Sequence, residues 1–333
     1  MIDTNQFHFN SAQEAWHYSI KQLFQFGSIV PGVVDKTSVG TFFGEVRRNT
    51  CELLATSFVV KNPRNRLMSS IHRPLNLSYA IANVIWVLTG SNDVEMISFY
   101  NDKGQNFSDD GITIPSAPGK RIFSPESKLN QFDRIIQKLK DDASSRRAII
   151  QILLPSDITQ ETRDVSCLIS LQFIIRNNEL SCITYMRSQS ALMVMPYDIF
   201  LFSMIQEAVA VSLGLELGNY YHICGSLHYY DDEEELLKKV IGSNYSIPNE
   251  MPIMEDISAE TREALLCTER DIRFLLSKKQ IQLIDFNQYN LDSYWKDLLK
   301  MMVRHYLIKN EKLFSPSQLS IFSDKYCMAL EVT

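Results

Sequence analysis

The stretch Pro196–Gly218, PYDIFLFSMIQEAVAVSLGLELG, restricts most strongly how this chain can fold. It is long enough for several helical turns and is apolar nearly all round, so protein must cover every side of it. A sheet on one side with further helices around it meets that demand. The chain has 333 residues and is 45% hydrophobic, enough for one large core. No Gly/Ser/Pro-rich linker divides its middle, so one domain over residues 1–333 is expected.

The flanking sequence supplies the sheet. From Ala148 the pattern changes to strand-like runs: AIIQILLP, CLISLQFIIRNNELSCITYMRS and NYYHICGSLHYY, with RNNE as a hairpin turn. Upstream, Ser11–Gly27 has helical spacing, with Trp16, Ile20 and Leu23 on one face. Leu75–Gly90 is a strongly apolar helix, and Phe132, Ile135, Ile136 and Leu139 mark an amphipathic one. VVDKTSVGTFFGEVRRN reads as loop followed by strand. Residues 101–128, rich in Asp, Gly, Ser and Pro, read as irregular loop. After Asp231 the chain becomes charged and mostly helical. The fold class is α/β (α+β), a sheet covered by apolar helices.

A net charge of −6 leaves no footprint for a nucleic acid polymer. No signal-peptide pattern and no stretch of membrane-spanning length is present, which reads as a cytoplasmic protein without membrane contact. Six cysteines (Cys51, Cys167, Cys182, Cys224, Cys267 and Cys327) are scattered without metal-ligand or disulfide spacing. Five of them read as ordinary buried thiols.

Four segments occur in a telling order: SSRRAIIQILLP, SCLISLQF, LSCITYMRSQSALMVMPYDIF and HICGSLHYY. Together, over about residues 140–232, they resemble the thymidylate synthase family, which includes the cytidylate hydroxymethylases. Weaker similarity extends back through IANVIWVLTGSND and DKTSVGTFFG and fades past about residue 240. The resemblance implies a sandwich with a mixed sheet covered by helices, one sheet face forming a homodimer. It implies a pyrimidine nucleoside monophosphate as substrate and 5,10-methylenetetrahydrofolate as co-substrate. The segment 235–333 is a divergent helical ending.

The resemblance also implies site residues. Cys167 takes the place of the nucleophile that adds to C6 of the base. A free thiol is mostly protonated at neutral pH and needs a cation nearby, which the motif supplies as Arg187. Arg187 and Ser188 match a phosphate-binding pair, and Arg146 and Arg147 match a pair that reaches the partner subunit's nucleotide; guanidinium forks suit phosphate oxygens. Lys36 stands where a further phosphate-binding Arg is usual. Gln172 falls beside the base, and His228 with Tyr230 match the sugar-binding pair. Asp198 stands where the synthases carry Asn. A carboxyl can accept from the cytosine N4 amino group and share a proton with N3, so a cytidine nucleotide (CMP or dCMP) is expected. Outside this motif Asp198 would read as a helix N-cap.

The folate side departs from the family pattern. Asn83 replaces a catalytic Glu and cannot exchange protons. Ser190 and Val194 replace an Asp and a Gly beside the folate, where Trp86 is also expected. Ser226 replaces the Asp of a GD pair, and Leu168 a His. The leading expectation is C5 hydroxymethylation of a cytidine nucleotide. A uridylate C5 methylase such as thymidylate synthase, or a nucleotide-binding pseudoenzyme of the same fold, are the alternatives.

Overall fold

The structure, a computed structural model, describes residues 7–35, 46–123, 130–159, 162–247 and 250–310. Its strands are β1 (Phe7–Phe9), β2 (Ser28–Asp35), β3 (Val46–Val60), β4 (Ala148–Gln151), β5 (Leu168–Arg176), β6 (Glu179–Ser190) and β7 (Glu216–Tyr230). They form one mixed sheet in the order β1-β3-β7-β6-β5-β4, with β2 also paired to β3. β6 runs parallel to β7, whereas β3–β7 and β5–β6 are antiparallel. The helices are α1 (Ala12–Phe26), α2 (Leu77–Leu88), α3 (Val94–Tyr100), α4 (Pro118–Phe123), α5 (Gln131–Asp141), α6 (Pro155–Thr159), α7 (Met195–Leu213), α8 (Glu234–Gly242), α9 (Ala259–Ser277) and α10 (Ser293–Asn310).

Local chemistry sets several boundaries. The Ser11 hydroxyl accepts from the Glu14 N–H, and the Glu14 carboxylate accepts from the Ser11 N–H, a reciprocal cap that starts α1. Asn76 caps α2 in the same spirit. Helix α7 stops at Gly214, whose φ of 66° is left-handed, rather than at Gly218. Gly218 is already inside β7. Within α7 the residues Ile199–Ala210 are buried on all sides, as its sequence demands. The buried Gln206 amide donates to the carbonyls of Leu180 and Gly218 and so locks α7 to two strands.

Two stretches read as irregular are partly ordered. Val33–Asp35 belongs to β2, and residues 101–128 contain a 3-10 turn at Asp102–Phe107 as well as α4. Neither is long enough to show a hydrophobic period. Lys36 and Cys327 lie outside the described residues. Cys51, Cys182 and Cys224 are buried as expected, but Cys267 on α9 is exposed. Among the described residues no helix is long and apolar enough to cross a membrane.

The helical segment after β7 shares the core. Leu265, Ile272, Trp295 and Leu298 join the same apolar cluster as α2 and α7. A buried ion triad reinforces the junction: Glu207 accepts from Arg64 (2.8 Å), Arg66 (2.5 Å) and the Met254 N–H (3.1 Å). Burial opposes the Glu207 charge, yet the two guanidiniums hold its carboxyl below the usual range.

The opposite face of the sheet is different. Leu171 and Phe173 point into the core, while their neighbours Gln172 and Ile174, with Ile183, Tyr185, Tyr221 and Ile223 on adjacent strands, are only half-buried. Ile149 on β4 is 43% exposed.

Candidate active site

The site grows from a kink in the sheet. The ladder skips at Ile169, Arg187, Gly225 and Ala55, on four neighbouring strands. Ala55 there has a left-handed φ of 54°. A Cβ on Gly225 would lie 2.8 Å from the Arg187 carbonyl oxygen, so only glycine allows the close approach. Across the kink the burial alternation slips by one residue. Met186 and Cys224 are buried before it, Gln189, Leu227 and Tyr229 after it. Ser188, Ser226, His228 and Tyr230 are thereby left half-buried on the other face.

Cys167 closes the loop that enters β5. Thr162 Oγ1 and the Arg163 N–H both donate to Asp109 (2.6 and 2.9 Å), and Ser116 Oγ donates to Asp164. Arg187 ties the other side: its N–H donates to the Cys167 carbonyl (2.9 Å), and its guanidinium to the carbonyls of Ser166 (2.9 Å) and Val165 (2.7 Å). The thiol keeps a path to solvent, yet it lies low in the surrounding wall. Burial pushes it up to about 11; Arg187 pulls it down, while Asp198 and Asp164 push it up further. The cation expected to activate the thiol is therefore adjacent but outweighed by burial.

Asp198 is not an N-cap. The helix begins with Val194 as its cap residue, and Asp198 sits within the first turn of α7. Gln189, 1% exposed, donates to the Asp198 carboxylate (2.9 Å). Burial raises this carboxyl to about 7, and the Gln189 bond offsets only part of that. Ser188 and His228 Nδ1 are 3.4 Å apart, and His228 packs edge-on against Tyr230 at 5.4 Å. Burial keeps the imidazole below its ordinary range.

Other predicted residues stand elsewhere. Asn83 is half-buried on α2, on the same face as Tyr79 one turn earlier. Tyr79 feels the charges of both Asp198 and Asp164, so this face looks into the site. Trp86 is 4% exposed in the core and donates its ring N–H to the Asp93 carbonyl. Val194 is 43% exposed at the start of α7. Gln172 is not gathered with Cys167: it donates to the Arg146 carbonyl (2.9 Å) and accepts from Tyr185 (3.1 Å) on the open sheet face. Arg146 and Arg147 are exposed, and the β4–β5 register puts them beyond Phe173. At about 3.3 Å per residue that is roughly 20 Å from Cys167 along the strand.

Several neighbours carry no signal in the linear sequence. Ser226 Oγ donates to Glu52 (2.5 Å), so a carboxylate from β3 stands where the GD pair would supply one. The Arg48 guanidinium lies over the Tyr230 ring at 3.7 Å and pairs with Asp232. The 191–194 loop is pinned by Trp16, which donates to the Ala191 carbonyl (2.8 Å), and by Arg73, which donates to the Met193 carbonyl (2.5 Å). Ser116 lies in the stretch that reads as irregular loop, and Asp164 lies between two strand-like runs.

Comparisons with known proteins identify the family and the fold. Residues 70–291 match the family model described as thymidylate synthase. A deoxyuridylate hydroxymethyltransferase of Bacillus phage SP01 is 33% identical over 216 residues, which is 59% of this chain and 55% of that protein. A protein of the same name from Delftia phage PhiW-14 is 27% identical over 58% of this chain and 57% of its own length. The chain thus spans about half the length of these curated relatives. Thymidylate synthase of Buchnera aphidicola subsp. Schizaphis graminum is 23% identical over 63% of this chain and 76% of that protein. Among solved structures, thermostable thymidylate synthase A from Bacillus subtilis superposes with a TM-score of 0.59 at 20% identity, covering 74% of this chain and 92% of that one. The family-model match covers most of the chain, including β4 to β7 and the Cys167 loop, and the chain belongs to the thymidylate synthase family.

Proposed function

We propose that this protein is a one-carbon transferase that hydroxymethylates C5 of a pyrimidine nucleoside monophosphate, with cytosine as the base. The observation that carries the base assignment is the Asp198 carboxyl, held by Gln189 and raised to about 7. A carboxyl so poised can give a proton to N3 while accepting from the N4 amino group. Cys167 adds to C6, Arg187 and Ser188 hold the phosphate, and His228 with Tyr230 hold the sugar. 5,10-Methylenetetrahydrofolate, when bound, supplies the one-carbon unit as an electrophile. Exposed Val194, half-buried Asn83 and the Tyr79–Tyr197 ring pair (centroids 5.0 Å apart) present a mostly apolar wall with one amide, which fits a flat heteroaromatic co-substrate.

The names of the two phage relatives favour a second reading, deoxyuridylate as substrate. A neutral Asp198 can also accept from uracil N3–H and donate to O4. Release of tritium from C5-labelled CMP, dCMP, UMP and dUMP in the presence of the folate separates the readings. Release from a cytidylate is expected; release from dUMP alone would overturn the base assignment.

The same proposal includes a homodimer in the cytoplasm. Arg146 and Arg147 stand roughly 20 Å from their own subunit's thiol, and the half-buried sheet face beside them offers apolar surface for a second copy. Sedimentation equilibrium at micromolar concentration should return twice the chain mass of 38.4 kDa; a monomer would exclude a shared site.

A further inference from the structure

Asn83 leaves α2 without a carboxyl, and an amide takes up no proton at neutral pH. Two carboxyls remain around the sulphur. Asp198 is committed to the base. The other, Asp164, has no role in the reading above.

Asp164 precedes Cys167 by three positions, on the loop fixed by Asp109 and Arg187. Ser116 Oγ donates to it and fixes one carboxylate oxygen. Charged and titratable groups face it from every side. Cys167 shares its loop, Arg187 comes from β6 and Arg121 from α4, and Asp109 lies across the loop. Tyr79 approaches from α2, and Asp198 from α7 completes the cluster through Cys167 and Tyr79. Arg121 is already bidentate to Asp157 (2.5 and 2.7 Å), so it neutralises Asp164 only partly. Burial is the largest influence and lifts the Asp164 carboxyl above its ordinary range, against Ser116, Arg121 and Arg187.

We propose that Asp164 is the proton acceptor for the Cys167 thiol, which rests on the reading of Cys167 as the nucleophile toward a pyrimidine. As Sγ bonds to C6 the S–H bond breaks, and its proton passes through one water to an Asp164 carboxylate oxygen. The C5=C6 electron pair moves toward the C4–N3 end of the ring, where Asp198 supplies the balancing proton. When the thiolate leaves C6 and C5=C6 re-forms, N3 gives its proton back to Asp198 and the proton on Asp164 returns to sulphur. The acceptor is needed only while the S–C6 bond forms, which suits a carboxyl shifted toward neutrality.

The test reads two quantities on the full-length protein: iodoacetamide alkylation of Cys167 against pH without nucleotide, and C5 hydrogen exchange. In Asp164→Asn the negative charge beside the sulphur is gone. Cys167 should then ionise at lower pH and alkylate faster at pH 8, while exchange falls by about 10²-fold or more. Asp164→Glu should restore most of the exchange. A role limited to holding the loop would not give faster alkylation with slower exchange. An unchanged alkylation profile, or exchange that stays level or rises in Asp164→Asn, would overturn the proposal. If Asp164→Asn does not fold, Ser116→Ala decides. Loss of that donor makes the carboxylate more basic, so the acid limb of the exchange profile should move to higher pH, and an unmoved limb counts against Asp164. A wild type that exchanges no C5 hydrogen overturns the proposed function itself, whereas a wild type that exchanges with Asp164→Asn unimpaired removes this step alone.

Discussion

Replacing Cys167 with Ala should abolish C5 hydrogen exchange while nucleotide affinity changes only a few-fold. The reasoning is chemical. Exchange at C5 requires electron density there, and that density comes from a nucleophile adding at C6. Among the described residues no other thiol can substitute: Cys51, Cys182 and Cys224 are buried, and Cys267 lies on α9. The groups proposed for phosphate and sugar (Arg187, Ser188, His228 and Tyr230) are untouched by the change, so binding should persist. The wild-type thiol, raised to about 11 by burial, should also be a slow nucleophile toward alkylating agents at pH 7, speeding roughly tenfold per pH unit toward that value. Exchange that survives in Cys167→Ala would sink the covalent mechanism. Binding of nucleotide by the wild type with neither exchange nor an adduct would support a pseudoenzyme instead.

Asp198→Asn should reduce exchange on cytidylate by roughly 10²- to 10⁴-fold and shift preference toward uridylate. An amide can still hydrogen-bond the base, but it cannot hand a proton to N3 when the electron pair arrives there. Uracil needs only a hydrogen bond to O4, which an amide N–H provides. The variant should also change stability with pH in a defined direction. The folded-state value of about 7 lies above the unfolded 3.8, so the folded protein binds the extra proton between these values. Stability is therefore lost as pH rises from about 4 to 7, by at most about 4 kcal/mol. Asp198→Asn removes that loss, and urea midpoints at pH 8 should move above those of the wild type. An unaltered CMP-to-dUMP activity ratio would refute the base-reading role.

Within one subunit the structure separates two groups that look alike in sequence. Arg187 is drawn to the carbonyls of the nucleophile's own loop, while Arg146 and Arg147 are held at the far end of β4 by its register with β5. In the homodimer proposed above, a second copy would bring them to the same phosphate, which is why the sedimentation result and the site assignment are linked.

Much of this was open to a reading of residues alone. The all-apolar run of α7 required burial on every side, and the switch to strand patterning at Ala148 located the sheet. Periodicity also marked the inward faces of α1, α2 and α5, because helices of three turns or more repeat their burial pattern often enough to be seen. The ordered Cys167, Arg187, Asp198 and His228 motifs pointed to the pyrimidine chemistry, since short-range order along a strand or at a helix start survives in sequence. What the linear order could not contain was everything set by contacts between distant segments. The kink at Ala55, Arg187 and Gly225 depends on strands meeting at van der Waals distance, and it decides which side chains face the site. Glu52 reaches Ser226 across 174 positions, Ser116 reaches Asp164 across 48, and Trp16 holds the Ala191 loop across 175. Burial, which raises both Cys167 and Asp198, is likewise a property of the packed molecule. The sequence by itself determined the longer elements, the buried helix and the motifs from which the reactive groups are proposed. Tertiary structure alone decided which carboxyls stand beside the thiol and in which direction burial shifts them, because desolvation and Coulomb forces act through space and not along the chain.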